Sequence, residues 1–354
     1  MSLHFTLSKD TVWASRGHEV ASAQFKLPME ARPAALALES MAEVSLEESD
    51  REVAIAGDDA ARKPCARPFR LVLDKGAGTL SSWVFGDTKL LERGPQLNLW
   101  RAPTDNDRIS QASKRWLAAG LHAPVWRVKQ VAAKRLAPQA VRLMVCADVV
   151  GAPDLGFDCL WTYTVYGSGD VLFEQSLTPR GALPDLPRVG IKLVLPSSFD
   201  RFAWYGRGPH ESYPDRKQSA HVGVYHDRVS ARNLPYVMPQ EHGNKTDVRW
   251  AALTNQQGIG LAATGLPVFQ TSAHPWTTCE LTEATQTFLL PEAGPVTFNL
   301  DFAMSGLGNG SCGPATLDAY LVQPVARTDA VRLRAVAAEE DMVQLSRHCL
   351  PMLP

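Results

Sequence analysis

The sequence predicts an all-β protein dominated by a large antiparallel β-sandwich. Most of the chain alternates apolar and polar residues in short segments, turn-forming glycines separate those segments, and no β-α-β alternation is present.

Taken in order, "LHFTL" (3–7) and "EVASAQFKLP" (19–28) read as short strands, followed by the proline- and alanine-rich "LPMEARPAALALES" (27–40). The polar "GDDAARKPCARP" (57–68) mixes charge and proline without an apolar period, so a domain boundary is placed there, with 1–62 before it and 63–354 after. In "FRLVLDKGAGTLSSWVF" (69–85), Phe69, Leu71 and Leu73 share one face ahead of a glycine turn and a return strand. "VRLMVCADVV" (141–150) alternates cleanly. "FDCLWTYTVYGSGDVLFEQSLTP" (157–179) reads as a hairpin turning at Gly167, Ser168, Gly169 and Asp170. "GIKLVLP", "GIGLAAT", "VTFNLDFAM" and "ATLDAYLVQP" (315–324) supply further strands. One helix is expected over 110–121, capped by Ser110 and ended by Gly120. A (β/α)₈ barrel needs a helix after every strand, and this pattern lacks them.

Composition narrows the function. Hydrophobic residues make up 45% and charged residues 21% of 354, as in a soluble globular protein. A net charge of −1, with no basic face, argues against a nucleic-acid partner. The 6 cysteines show no CxxC spacing, so neither a zinc framework nor a disulfide scaffold is expected. With no secretory leader at the N-terminus and no run of about 18 apolar residues, a cytoplasmic protein without a membrane partner is expected.

Polar clusters fall at the strand ends, where binding sites sit. In "LWRAPTDNDRISQ" (99–111), Arg101 is expected to clamp Asp105 or Asp107 while Asn106 satisfies backbone groups, as a buried corner or the lining of a cleft. In "WYGRGPHESYPDRKQSAHVGVY" (204–225), Gly206 and Gly208 flank Arg207, and His210, Glu211, Asp215 and Arg216 follow. A His-Glu pair can do acid–base work, but neighbours on an extended segment point to opposite faces, which favours a structural role. "MPQEHGNKTDVRW" (238–250) carries Glu241, His242, Asn244, Asp247 and Arg249, again read as structural hydrogen bonding. "HPWTTCELTEATQ" (274–286) is read as an exposed loop running into a strand. "MSGLGNGSCGP" (304–314) is a tight glycine-rich loop with Asn309 and Ser311. Lacking a following helix, it suits a neutral ligand better than a phosphate.

In this order the segments resemble the C-terminal part of the large bacterial β-galactosidases of glycoside hydrolase family 2. "RAPTDND" (101–107) looks like that family's signature, and "LPRVG" (186–190), "GPHESYPDR" (208–216), "PQEHGNKTDVRW" (239–250) and "GLGNGSCGP" (306–314) match its other motifs. "VWASRGHEVASAQFKL" (12–27) is similar to the end of its preceding immunoglobulin-like domain. The resemblance implies a galactose mutarotase-like sandwich behind part of an immunoglobulin-like β-domain. It also implies that the two catalytic glutamates and the adjacent magnesium belong to a (β/α)₈ barrel outside this chain. No catalytic residue, metal ligand or cofactor is therefore expected here, and the chain alone is expected to be inactive. Met1-Ser2 ahead of a mid-domain strand is the start expected either of a piece excised from a longer enzyme for expression or of a separately encoded small chain.

By the same resemblance Asn309, Ser311 and Cys312 face carbohydrate. Arg101, Asp105, Asn106, Asp107, Arg207, His210, Glu211, Asp215, Arg216, Glu241, Asn244 and Arg249 shape the mouth of the site. The expected partners are a galactoside, the barrel-containing remainder and further copies in a homo-oligomer. This sequence departs from the family pattern at Cys312, where a sugar-stacking tryptophan is usual, at His242, where asparagine is common, and at Gln286, where histidine is common. Cysteine has no π-face to stack on a sugar. Two other readings are a stand-alone aldose 1-epimerase, using Glu211 or Glu241 with His210 or His242, and a purely structural subunit.

Overall fold

The computed structural model describes residues 1–29, 33–58, 67–232 and 234–353. They form two compact units, Met1–Ala34 and Ala35–Pro354. In the first, Ser2–Thr6 pairs antiparallel with Glu19–Gln24, the two strands expected there.

The second unit is built on a long antiparallel sheet. Val125–Ala137, Ala140–Val150, Gly156–Tyr166, Asp170–Arg180, Arg327–Val336, Gly260–His274, Lys245–Thr254, Arg201–Gly208 and His221–Arg228 lie side by side in that order. Arg188–Leu195 joins Arg93–Asn98 to Val296–Met304. Gly260–His274 changes partners along its length: 260–265 pair with Arg327–Val336, and 270–274 pair with Val296–Met304. A strand that switches partners in this way turns a corner, so one sheet curls into facing layers. Their inner faces meet in one core, where Trp83, Trp161, Tyr163, Phe173 and Trp204 are fully buried.

A second sheet runs Val44–Glu48, Glu52–Gly57, Phe69–Asp74, Thr79–Phe85 and Thr88–Lys89. Its alternation is the one read from the sequence: Phe69, Leu71 and Leu73 are buried, with Val53 and Ile55 beside them. The predicted linker at 57–68 mostly falls on 59–66, which lie outside the described residues together with Cys65. The strands flanking it, Glu52–Gly57 and Phe69–Asp74, pair in register. The break between compact units therefore falls at Ala34–Ala35 rather than near residue 62.

Three local expectations are corrected. The helix over 110–121 is two short helices, Asp105–Ile109 and Ala112–Ala118, because Thr104 rather than Ser110 caps the chain's entry and Gln111 sits at φ 63° between them. Gly120 does end the second helix. At φ 73° its N–H bonds Leu117 O while Leu121 N–H bonds Trp116 O, the two contacts of a Schellman stop. The segment 315–324 is not a strand. Tyr320 N–H bonds Leu317 O and its carbonyl accepts from Gly306, so the backbone closes locally as the 3₁₀ turn Asp318–Tyr320. The final long strand is Arg327–Val336 instead. Finally, 274–286 holds the helix Thr278–Glu283, where Thr277 and Glu280 form a capping box.

Candidate functional site

The cluster is built around Arg101, which is 1% exposed. Its Nε and Nη2 donate to Asp107 Oδ2 and Oδ1 at 3.0 and 2.7 Å. Its remaining donors reach the Ser305 and Gly306 carbonyls at 2.6 and 3.1 Å, and its guanidinium lies 5.3 Å from the Trp116 ring centre. Asp107 also accepts from Thr104 N–H at 2.9 Å, so one carboxylate caps the helix and neutralises the arginine. Burial opposes the Arg101 charge, and Asp107 more than offsets it, holding the guanidinium above the usual arginine range. Of the two partners the sequence left open, Asp107 is the one clamped. The Asp105 side chain turns outward to Arg108.

The glycine-rich loop is held from both sides. Asp215 accepts from Leu307 N–H and Gly308 N–H at 3.1 and 2.7 Å. Asn106 donates to Gly308 O at 2.7 Å and accepts from Ser311 N–H at 2.9 Å, with the Ser311 hydroxyl on the same oxygen. Asp215 packs so closely on Gly306 that a Cβ there would lie 2.6 Å from its carboxyl carbon. The loop tip of Asn309, Ser311 and Cys312 is exposed, and the Cys312 thiol is free.

Glu211 accepts from Gly243 N–H at 2.7 Å and pairs with Arg216. His210 points away to Ser219 Oγ at 3.0 Å, as alternation requires. Asn244 ties Ser212 O to Gln270. Arg207 meets Asp247 at 2.5 Å and the carbonyls of Lys217 and Ala220. Arg249 bonds Asp247 O and lies over Tyr205. The structure thus gathers Arg101, Asn106, Asp107, Asp215, Glu211, Arg216 and Glu241 around the loop. Arg207 and Arg249 act together on the separate Asp247 turn. A depression of about 180 Å³ opens between Asn106, Arg216, Tyr236, Glu241 and Ser311.

Beneath it lies a buried network that the sequence reading missed. Arg188, fully buried, donates to Glu241 Oε1 at 3.0 Å and faces Asp301 at 3.3 Å. Burial pushes the Asp301 carboxyl up to about 7, with Arg188 pulling against the rise and Glu241 adding to it. His242 and His274 meet edge to face at 4.5 Å. Burial, then His242, Arg188 and Lys245, hold His274 well below the usual imidazole range. The signal was a lone arginine in "LPRVG" and a lone aspartate in "VTFNLDFAM", each inside an apolar strand, where a charge persists only if paired. Glu241 is engaged by Arg188, and His242 Nδ1 by the Gln240 carbonyl, while the buried His242 Nε2 has no hydrogen-bond partner among the described residues.

Among the described residues, no cluster of His, Cys, Asp and Glu could hold a metal ion, and no helix is long and apolar enough to cross a membrane.

A family model described as Beta galactosidase small chain matches residues 66–333. A β-galactosidase of Priestia megaterium is 35% identical over 87% of this chain, and one of an Arthrobacter species is 34% identical over 68%. The chain spans 28% and 26% of the lengths of these relatives. Among solved structures, a galactose 1-epimerase from Lactobacillus acidophilus aligns with 84% of this chain and all of its own, at 10% identity and a TM-score of 0.39. A glycoside hydrolase family 97 enzyme from a Pseudoalteromonas species aligns with 83% of this chain and 36% of its own, at 9% identity and a TM-score of 0.40.

Proposed function

The chain belongs to the β-galactosidase small-chain family, and on that premise we propose that it is the C-terminal region of a β-galactosidase. It presents the loop of Asn309, Ser311 and Cys312 to the galactoside and docks against a barrel-containing remainder that holds the bond-breaking carboxylates. The observation that carries this reading is the anchoring of that loop. Arg101 takes the carbonyls of Ser305 and Gly306, Asp215 takes the amides of Leu307 and Gly308, and Asn106 takes Gly308 and Ser311. A loop pinned at successive backbone groups keeps its tip in place without its own secondary structure, which a substrate-facing loop requires.

Retaining glycoside cleavage needs two carboxyl groups roughly 5–5.5 Å apart, one of them free to attack. Here Asp107 is engaged by Arg101, Asp215 by backbone amides and Glu241 by Arg188, which supports placing the reacting pair outside this chain. Magnesium would be held beside that pair.

The test is hydrolysis of a chromogenic β-galactoside by the chain alone and after mixing with a barrel-containing partner chain. Turnover is expected only in the mixture. Asn106→Ala in that mixture should raise KM more than it lowers kcat, because it loosens a binding loop and leaves the reacting groups alone. Turnover by the isolated chain, lost on changing one of its own glutamates, would overturn the reading.

A further inference from the structure

A second cavity lies away from the glycine-rich loop. A cleft of about 490 Å³ opens where Val125–Ala137 and Gly156–Tyr166 meet Arg93–Asn98 and Arg188–Leu195. Trp126, Trp161, Leu97, His122, Gln96 and Lys192 are among its lining residues. Its volume lies within the roughly 300–1,000 Å³ of small-molecule sites, and its makeup, apolar walls with few polar groups, is theirs too. None of these residues belongs to the cluster around Arg101.

The polar groups in it are unevenly satisfied. Trp126 Nε1 donates to Ala77 O at 3.1 Å, and its partly exposed ring, 4.5 Å between centres from the buried Trp161, offers only apolar surface to the cleft. Lys192 is different. It sits in register between Gln96 and Asn299, and among the described residues its ammonium has no hydrogen-bond or ion-pair partner. Burial, followed by the guanidinium of Arg188, holds it below the usual lysine range. A partly buried cation without a carboxylate is costly unless something anionic reaches it.

We propose that this cleft binds a small ring-bearing carboxylate, its ring against Trp126 and its carboxylate on the Lys192 ammonium. The geometry requires both parts of the ligand, since the aromatic wall recognises a flat or C–H-lined ring while Lys192 supplies the charge-assisted bond.

Two sources share this chemistry, aryl acids and sugar acids, and the experiment separates them. The full chain is titrated with 3-phenylpropionate and with D-galacturonate, each against its neutral counterpart, 3-phenylpropanamide and D-galactose. Binding is followed by calorimetry and saturation-transfer NMR. At least one acid should bind saturably in the millimolar range or tighter, and roughly tenfold or more tightly than its neutral counterpart, the factor one charged hydrogen bond supplies. Lys192→Met should erase that difference, and Trp126→Ala, at a partly exposed position, should weaken the acid and its counterpart together. The proposal is overturned if neither acid saturates, or if acid and neutral counterpart bind the parent chain equally, a comparison that needs no variant to fold.

Discussion

At the scale of single residues, neighbouring carboxylates in one signature do unequal work. Asp107 is buried and carries both the Arg101 fork and the helix cap, whereas the Asp105 side chain is 58% exposed in its pair with Arg108. Asp107→Ala leaves a buried guanidinium unpaired and is expected to cost roughly 3–5 kcal/mol. Asp105→Ala should change stability by less than about 0.5 kcal/mol. Urea denaturation of both variants checks this, and equal midpoints would refute it. Asp301 gives a pH signature. Folded, its carboxyl keeps its proton up to about pH 7, whereas the unfolded carboxyl releases it near about 4. Its contribution to stability is therefore whole below about pH 4 and is lost as pH rises through its folded value. Asparagine carries no such proton, so the stability of Asp301→Asn relative to the parent should improve steadily from pH 4 to 7. A difference that is flat or falls with pH would contradict the assignment.

Elements show what the sequence could and could not disclose. Strands buried on one face were legible because alternation survives in Phe69–Asp74, Ala140–Val150 and the first half of Gly156–Tyr166, where every other side chain meets the core. The capping box at Thr277 was present in the spelling "TTCE" but passed over, because a helix of 6 residues shows too little period to stand out. In "ATLDAYLVQP" alternation misled, since a strand also needs a free edge and this segment's backbone is taken by its own turn and the glycine-rich loop. The site divides in the same way. Arg101, Asn106 and Asp107 were legible as a dense polar run, whereas Arg188 and Asp301 were not, because their partners arrive from strands and loops remote in sequence.

At the scale of the whole molecule, the placement of the unit's edge decides what can fold alone. The second sheet does not begin at Phe69: Val44, Val53 and Ile55, contributed by the strands before the undescribed 59–66, are buried in the same core cluster as Leu71, Leu73 and Trp83. Each fully buried aliphatic side chain contributes about 1.5–3 kcal/mol, so losing these removes a share comparable with the roughly 5–15 kcal/mol that keeps a domain folded. Removal also turns Phe69–Asp74 into an unpaired edge carrying exposed leucines, an invitation to aggregate. A chain of residues 35–354 is therefore expected to unfold cooperatively on heating. One of residues 67–354, although it retains nearly all of the stretch matched by the family model, should melt without a sharp transition and bind a hydrophobic dye at room temperature. Circular dichroism melts and dye fluorescence on the two chains decide the matter. Matching cooperative transitions would mean that the strands ahead of residue 59 decorate the core and do not complete it.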